Sequence, residues 1–163
     1  MKLLGIDPGL SICGYGILEV SNSLLICEDF GNIRTQNSLT MAEKLDKIYQ
    51  KISNIIQIHK PRYCAIEDIF YHTNIKTAIV MGHARGVIML AAQQANVEIF
   101  EYSPREVKMS ITGSGASSKH QIQAMVKQIL NLKVAPPSLD SSDALAVAIC
   151  HYHRLRFHKL ISV

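Results

Sequence analysis

The sequence predicts an α/β domain: a five-stranded mixed sheet flanked by helices, its first three strands antiparallel and its later ones parallel. Three observations carry this. Apolar runs at residues 3–6, 14–18 and 24–33 follow one another through short polar turns, as strands of a meander do. From residue 40 the pattern changes to helix and strand in alternation, which calls for right-handed crossovers and parallel pairing. An acid closes the first strand and another closes the fourth, at the edge where α/β sheets place ligands.

Taken in order, the first strand is Leu3-Leu4-Gly5-Ile6, and Asp7 stands where the apolar run stops and Pro8-Gly9 turns the chain. The turn leads into Gly14-Tyr15-Gly16-Ile17-Leu18, whose two glycines permit close backbone approach. Ser21-Asn22-Ser23 joins this to a third strand at 24–33. Thr40 with Glu43 forms a capping box, and Leu45, Ile48, Ile52, Ile55 and Ile56 recur on one face of the helix that follows. Lys60-Pro61 ends it. The fourth strand, 63–66, is apolar on both faces and runs into Glu67-Asp68. A helical stretch from about Ile75 to Asn96 precedes a fifth strand at 97–100. The long apolar run 75–92 includes Lys76, His83 and Arg85, which marks a buried helix rather than a membrane span.

Ser103-Pro104-Arg105-Glu106 supplies an N-cap, a proline at N1 and a glutamate at N3. Ser118 with Gln121 opens a further helix, with Ile122, Met125, Val126 and Ile129 on its buried side. A last helix starts near Leu139 and runs into a basic tail of Arg154, Arg156 and Lys159. The short Gly/Ser loop 112–118 is the one biased stretch, so residues 1–163 read as a single domain.

Composition narrows the function classes. With 48% hydrophobic and 18% charged residues the chain is globular rather than disordered. Seventeen Lys and Arg against thirteen Asp and Glu leave a net charge of +4, which permits a polyanionic partner without demanding one. There is no Trp, so base stacking must use Phe, Tyr or His. Cys13, Cys27, Cys64 and Cys150 lie far apart in apolar surroundings, as expected of a reduced, cytoplasmic protein. The N-terminal apolar run is too short for a signal peptide and ends in Asp.

Asp7 and Glu67 are each the last residue after an apolar strand, so parallel neighbours would project both carboxylates from one sheet edge. Asp140-Ser141-Ser142-Asp143 opens the last helix, and residues three apart share a helix face. Three of the four acids have a plainer alternative. Asp7 could cap its own turn, and Asp140 at N-cap with Asp143 at N3 could satisfy backbone donors. Four converging carboxylates without compensating cations would repel unless hard divalent ions sat among them. All-oxygen ligation favours Mg²⁺ or Mn²⁺ over zinc, and a pair of ions roughly 3.5–4 Å apart suits phosphodiester hydrolysis.

Gly5-Ile6-Asp7-Pro8-Gly9 followed by Gly14-Tyr15-Gly16, then Ala65-Ile66-Glu67, Arg85-Gly86-Val87, the segment 100–119 and Asp140-Ser141-Ser142-Asp143-Ala144-Leu145-Ala146 closely resemble the RuvC family of Holliday-junction resolvases. The resemblance covers nearly the whole chain in order. It implies a ribonuclease H-like fold, a homodimer, and Mg²⁺-dependent symmetric nicking of four-way DNA junctions in recombination and repair. Two ions per site, Mn²⁺ as a substitute and a branch-migration motor partner of the RuvA and RuvB type are implied with it. By matched position Asp7, Glu67, Asp140 and Asp143 are metal-binding carboxylates. Lys119 and Lys108 are basic residues of the catalytic and DNA-binding surface, and Phe70 is the junction-opening aromatic.

Several of these have residue-level readings of their own. Lys119 in the first turn of a helix, after Gly113-Ser114-Gly115, joins a cation to a helix N-terminus, and both attract phosphate. A solvated surface lysine is the alternative there and at Lys108. Phe70 could instead pack under its loop. Gly82 and Gly86 lie on one helix face and suit close internal packing; the resemblance, which implies a dimer contact along this helix, adds a subunit interface as the second reading. His151 and His153 show no metal spacing and read as surface residues. Sugar-kinase and actin-like ATPases share an Asp-x-Gly after the first strand, but they need a duplicated domain. A smaller resolvase-like family acting in RNA processing, and a junction-binding protein whose acids are mere caps, are the other rivals.

Overall fold

The computed structural model describes residues 1–22, 24–68 and 74–161, with the side chains of the last helix described through 157. Phe70 falls outside the described residues. Strands β1 (Lys2–Asp7), β2 (Ile12–Ser21) and β3 (Leu24–Arg34) are followed by helix α1 (Met41–His59), β4 (Tyr63–Glu67), α2 (Ile75–Gln94) and β5 (Glu98–Tyr102). Three helices close the chain: α3 (Pro104–Thr112), α4 (Lys119–Ile129) and α5 (Leu139–Ile161). The sheet order is β3-β2-β1-β4-β5, with β1, β2 and β3 antiparallel and β4 and β5 parallel to β1. This is the ribonuclease H-like arrangement the sequence leads one to expect.

Strand alternation sorts the core into two layers. Leu4, Ile6, Cys13 and Ile17 face α1 and α2, whereas Leu3, Leu18, Ala65 and Tyr102 face α3, α4 and α5. α1 holds its place through Ile48, Ile52, Ile55 and Ile56, starts at the Thr40–Glu43 capping box, and ends where Lys60 turns left-handed (φ 50°) ahead of Pro61. α5 is the central helix of the other layer: Ala144 through Ile149 are fully buried. Small residues make that depth possible. A Cβ at Gly5 would overlap the Ala144 carbonyl oxygen and the Ala148 side chain, so only glycine lets α5 lie directly on β1.

Two elements depart from the sequence reading in ways that bear on the site. β5 runs to Tyr102 rather than ending at Phe100, because its ladder to β4 continues through Glu101 and Tyr102, and an exposed charge is at home on an edge strand. α2 is only partly a buried helix. Ala84, Ile88, Ala91 and Ala92 are covered, but Ile75 is 78% exposed, Ile79 57% and Leu90 51%. It is also long and apolar enough, by length and composition, to cross a membrane. The reason is that its apolar residues run all round it, so sequence periodicity could not say which face the chain itself covers.

His151 is not a surface residue either. It is buried, its Nδ1 lies 2.7 Å from the Tyr102 hydroxyl, and its ring packs against Phe100 and Tyr63. Burial pushes its pKa down to about 4, so the ring is neutral at physiological pH. His153 is half-buried, with Nδ1 2.9 Å from the Ser110 hydroxyl.

Candidate active site

One row of residues crosses the whole sheet at its rim. Asp7 on β1 pairs with Gly14 on β2, and Gly14 pairs with Asn32 on β3. On the other side Ile6 pairs with Ile66, which sets Glu67 beside Asp7, and Glu67 pairs with Tyr102 on β5. Neighbouring strands lie about 4.8 Å apart, so the Asp7 and Glu67 carboxylates start as near neighbours on one face. That face is the one covered by α5, because Leu4, Ile6, Cys64 and Ile66 take the opposite one.

α5 delivers the other two acids. A Cβ at Gly14 would overlap the carbonyl oxygen of Asp140, so the glycine lets the first turn of α5 settle onto the rim. Capping by Asp140 does not occur. Ser138 takes that role: its Oγ accepts from the Ser141 amide (3.1 Å), and its carbonyl accepts from the Ser142 amide (3.3 Å). Ser138, two residues upstream and just after Pro136-Pro137, reaches the cap first, which leaves both aspartates free of backbone duty. Asp140 and Asp143 then stand one turn apart above Asp7 and Glu67.

The electrostatics show how close the four are. Burial, then the charges of Glu67 and Asp143, push Asp7 up to about 8, with Lys119 opposing and Asp140 adding to the rise. Glu67 is pushed up to about 7 by burial and Asp143, against Lys119, a hydrogen bond with Asp7, and Lys108. Asp143 is raised by burial and by Asp140, with Lys119 and Lys108 pulling the other way. Lys119 Nζ donates to Asp143 Oδ2 at 2.6 Å. Burial would lower this lysine, but the bond to Asp143 and the charges of Asp143, Asp7 and Glu67 raise it, so it stays protonated.

Among the described residues no three His, Cys, Asp or Glu side chains close round one point at metal-ligand spacing. The acids line a shared rim rather than a finished cage. Their chemistry nonetheless fits hard divalent cations. The ligand atoms are all oxygens, and the raised carboxylates hold protons that a cation would replace. The structure thus brings together Asp7, Glu67, Asp140, Asp143 and Lys119, with Lys108 close enough to act on Glu67 and Asp143.

The crossover junction endodeoxyribonuclease RuvC family profile matches residues 3–151. The chain belongs to the RuvC family. A crossover junction endodeoxyribonuclease RuvC from Alkaliphilus oremlandii is 46% identical over 163 residues, all of this chain and 99% of that one. Its counterpart from Caldicellulosiruptor saccharolyticus is 48% identical over 152 residues, 93% of this chain and 92% of the other. Thermus thermophilus RuvC superposes with a TM-score of 0.89 at 28% identity, covering 97% of both chains. The same protein in complex with a Holliday junction substrate gives 0.91 at 29% identity, covering 97% of this chain and 96% of that one.

Two contributors to the rim escape sequence reasoning. Arg85 reaches Asp68 (3.3 Å) and Glu101, tying the segment just after Glu67 to β5. Its place in Arg85-Gly86-Val87 was the only signal. Asn32 carries none: its partner, Ser138, is 106 residues away.

Proposed function

We propose that this RuvC-family chain resolves four-way DNA junctions by nicking them symmetrically, with Asp7, Glu67, Asp140 and Asp143 holding two divalent cations, Mg²⁺ in the first place and Mn²⁺ in substitution. The observation that carries this is the sheet-wide row that sets Asp7 beside Glu67 under the first turn of α5. Divalent cations there would let the acids ionise together and would supply the charge needed to polarise water and a leaving oxygen in phosphodiester hydrolysis. The chain's own residues do the rest. Lys119, 58% exposed at its side chain, can turn from Asp143 to a phosphate oxygen while remaining beside the acids. Lys108, half-buried on α3, adds positive charge on the Glu67 side. Phe70, three residues after Glu67 in the sequence, would stack on a base opened at the crossover.

A twofold-symmetric junction calls for two sites, and α2 supports a homodimer. Ile75, Ile79, Gly82, Gly86 and Leu90 form a single exposed stripe at spacings of three and four residues. A Cβ at Gly86 would meet nothing within 4 Å, so the glycine serves no internal packing and leaves room for a second helix. A cytoplasmic setting and a motor partner of the RuvA and RuvB type accompany this reading. The test is cleavage of a synthetic four-way junction with Mg²⁺ against an EDTA control. Symmetric nicks with Mg²⁺ alone are expected, and equal cleavage in EDTA would overturn the acid assignment.

A further inference from the structure

We propose that Asn32 is a positioning residue for the acidic centre, fixing the first turn of α5, and with it Asp140 and Asp143, over Asp7 through the Ser138 hydroxyl. The inference rests on the reading of the four acids as cation ligands. Asn32 lies in the same cross-sheet row as Asp7, with Gly14 between them, and so shares their face. Gly14 offers α5 no side chain, only room for the Asp140 carbonyl. The next strand out offers the Asn32 amide. Its Nδ2 donates to Ser138 Oγ at 2.7 Å, and its Oδ1 lies 3.1 Å from the same hydroxyl.

Ser138 Oγ is the cap of α5. It accepts from the Ser141 amide (3.1 Å) and stands 2.9 Å from Ser141 Oγ, with Ser141 buried. A helix is stiff over one turn, so whatever fixes the cap also fixes the carboxylates two and five residues further on. A fixed cap is needed here. The first turn of α5 carries two carboxylates over the two that end β1 and β4, and like charges gathered at one rim repel. A neutral amide can resist that push without adding charge to the cluster. A lysine or aspartate at position 32 would change the field at the ligands themselves. Asn32 therefore preorganises the half of the site that the sheet does not carry.

The experiment uses the full chain with Asn32→Ala, Ser138→Ala, the double variant and Ser138→Thr. Mg²⁺ and Mn²⁺ are titrated calorimetrically without DNA, junction binding is measured in EDTA, nicking is followed against Mg²⁺ concentration, and each variant is melted. Asn32→Ala should lose about tenfold in cation affinity, the usual effect of removing an outer partner of a metal site, and need about tenfold more Mg²⁺ for half-maximal nicking. Junction binding in EDTA should be unchanged, the double variant no worse than Ser138→Ala, and Ser138→Thr, which keeps the hydroxyl, close to the unmodified chain. Unchanged cation affinity in Asn32→Ala would overturn the proposal. So would a fall in junction binding that tracks a fall in melting temperature, since that is plain destabilisation. An unmodified chain that takes up no cation would instead overturn the acid assignment, and the two failures are told apart in the same titration.

Discussion

Replacing Asp7 by Asn should make the cation-free protein more stable at alkaline pH while abolishing cleavage. The folded protein raises Asp7 from 3.8 to about 8, so it holds a proton that the unfolded chain gives up. The stability tied to that proton is fully present below the unfolded value and is lost as pH rises through the folded one. Each pH unit between the two costs the ionised form about 1.4 kcal/mol, which sets a ceiling of about 5–6 kcal/mol for full ionisation. Water at the open rim screens this to about 2–3 kcal/mol. For a chain of this size that corresponds to about 5–10 °C in melting temperature.

The assay is a thermal melt of both proteins in EDTA at about pH 5.5 and about pH 8.5, repeated with Mg²⁺, which stabilises only a fold that binds it. The unmodified protein should lose stability between the two pH values and regain it with Mg²⁺. Asp7→Asn should show a flatter profile and little response to Mg²⁺. A variant that melts below the unmodified protein at about pH 8.5 without metal would refute the claim that crowding of negative charge dominates this rim.

Three further outcomes follow from the same geometry. Lys119→Ala should slow nicking by roughly 10–100-fold while changing junction affinity by much less, because one positioned cation matters most where charge develops. Equal losses in both would return Lys119 to general electrostatics. Gly14→Ala should displace the first turn of α5, costing about 1–3 kcal/mol and most of the nicking activity, read by denaturant melts and cleavage rates together. Ile79→Glu should turn the proposed dimer into a monomer in sedimentation while the far-UV spectrum of the folded chain is kept, since that side chain is 57% exposed in the single chain.

Much of this was legible before any coordinates, and the failures share a cause. The three capping boxes at Thr40, Ser103 and Ser118, the glycines of β2, and the acids ending β1 and β4 are local signals, written within a few residues. The capping alternative for Asp140 falls because Ser138 competes for the same amides, and only geometry shows which side chain arrives. His151 looked like a surface histidine because its partner, Tyr102, is 49 residues away. α2 looked buried because an all-round apolar helix does not reveal whether its cover is its own chain or another. Asn32 was invisible for the reason His151 was: its contact is long-range.

The central helix has a consequence for how the enzyme comes into being. Asp7 and Glu67 are fixed early in the chain, but the turn that brings Asp140 and Asp143 onto them belongs to the last helix, whose residues 144–149 also fill one whole side of the core. A growing polypeptide on the ribosome carries half of the proposed phosphodiester-cutting centre and no means to assemble it. Closing that side of the core and completing the proposed ligand set both wait on the same helix. Truncated synthesis products and late folding intermediates are therefore unarmed, and chromosomal DNA meets the nuclease only after the whole domain has closed.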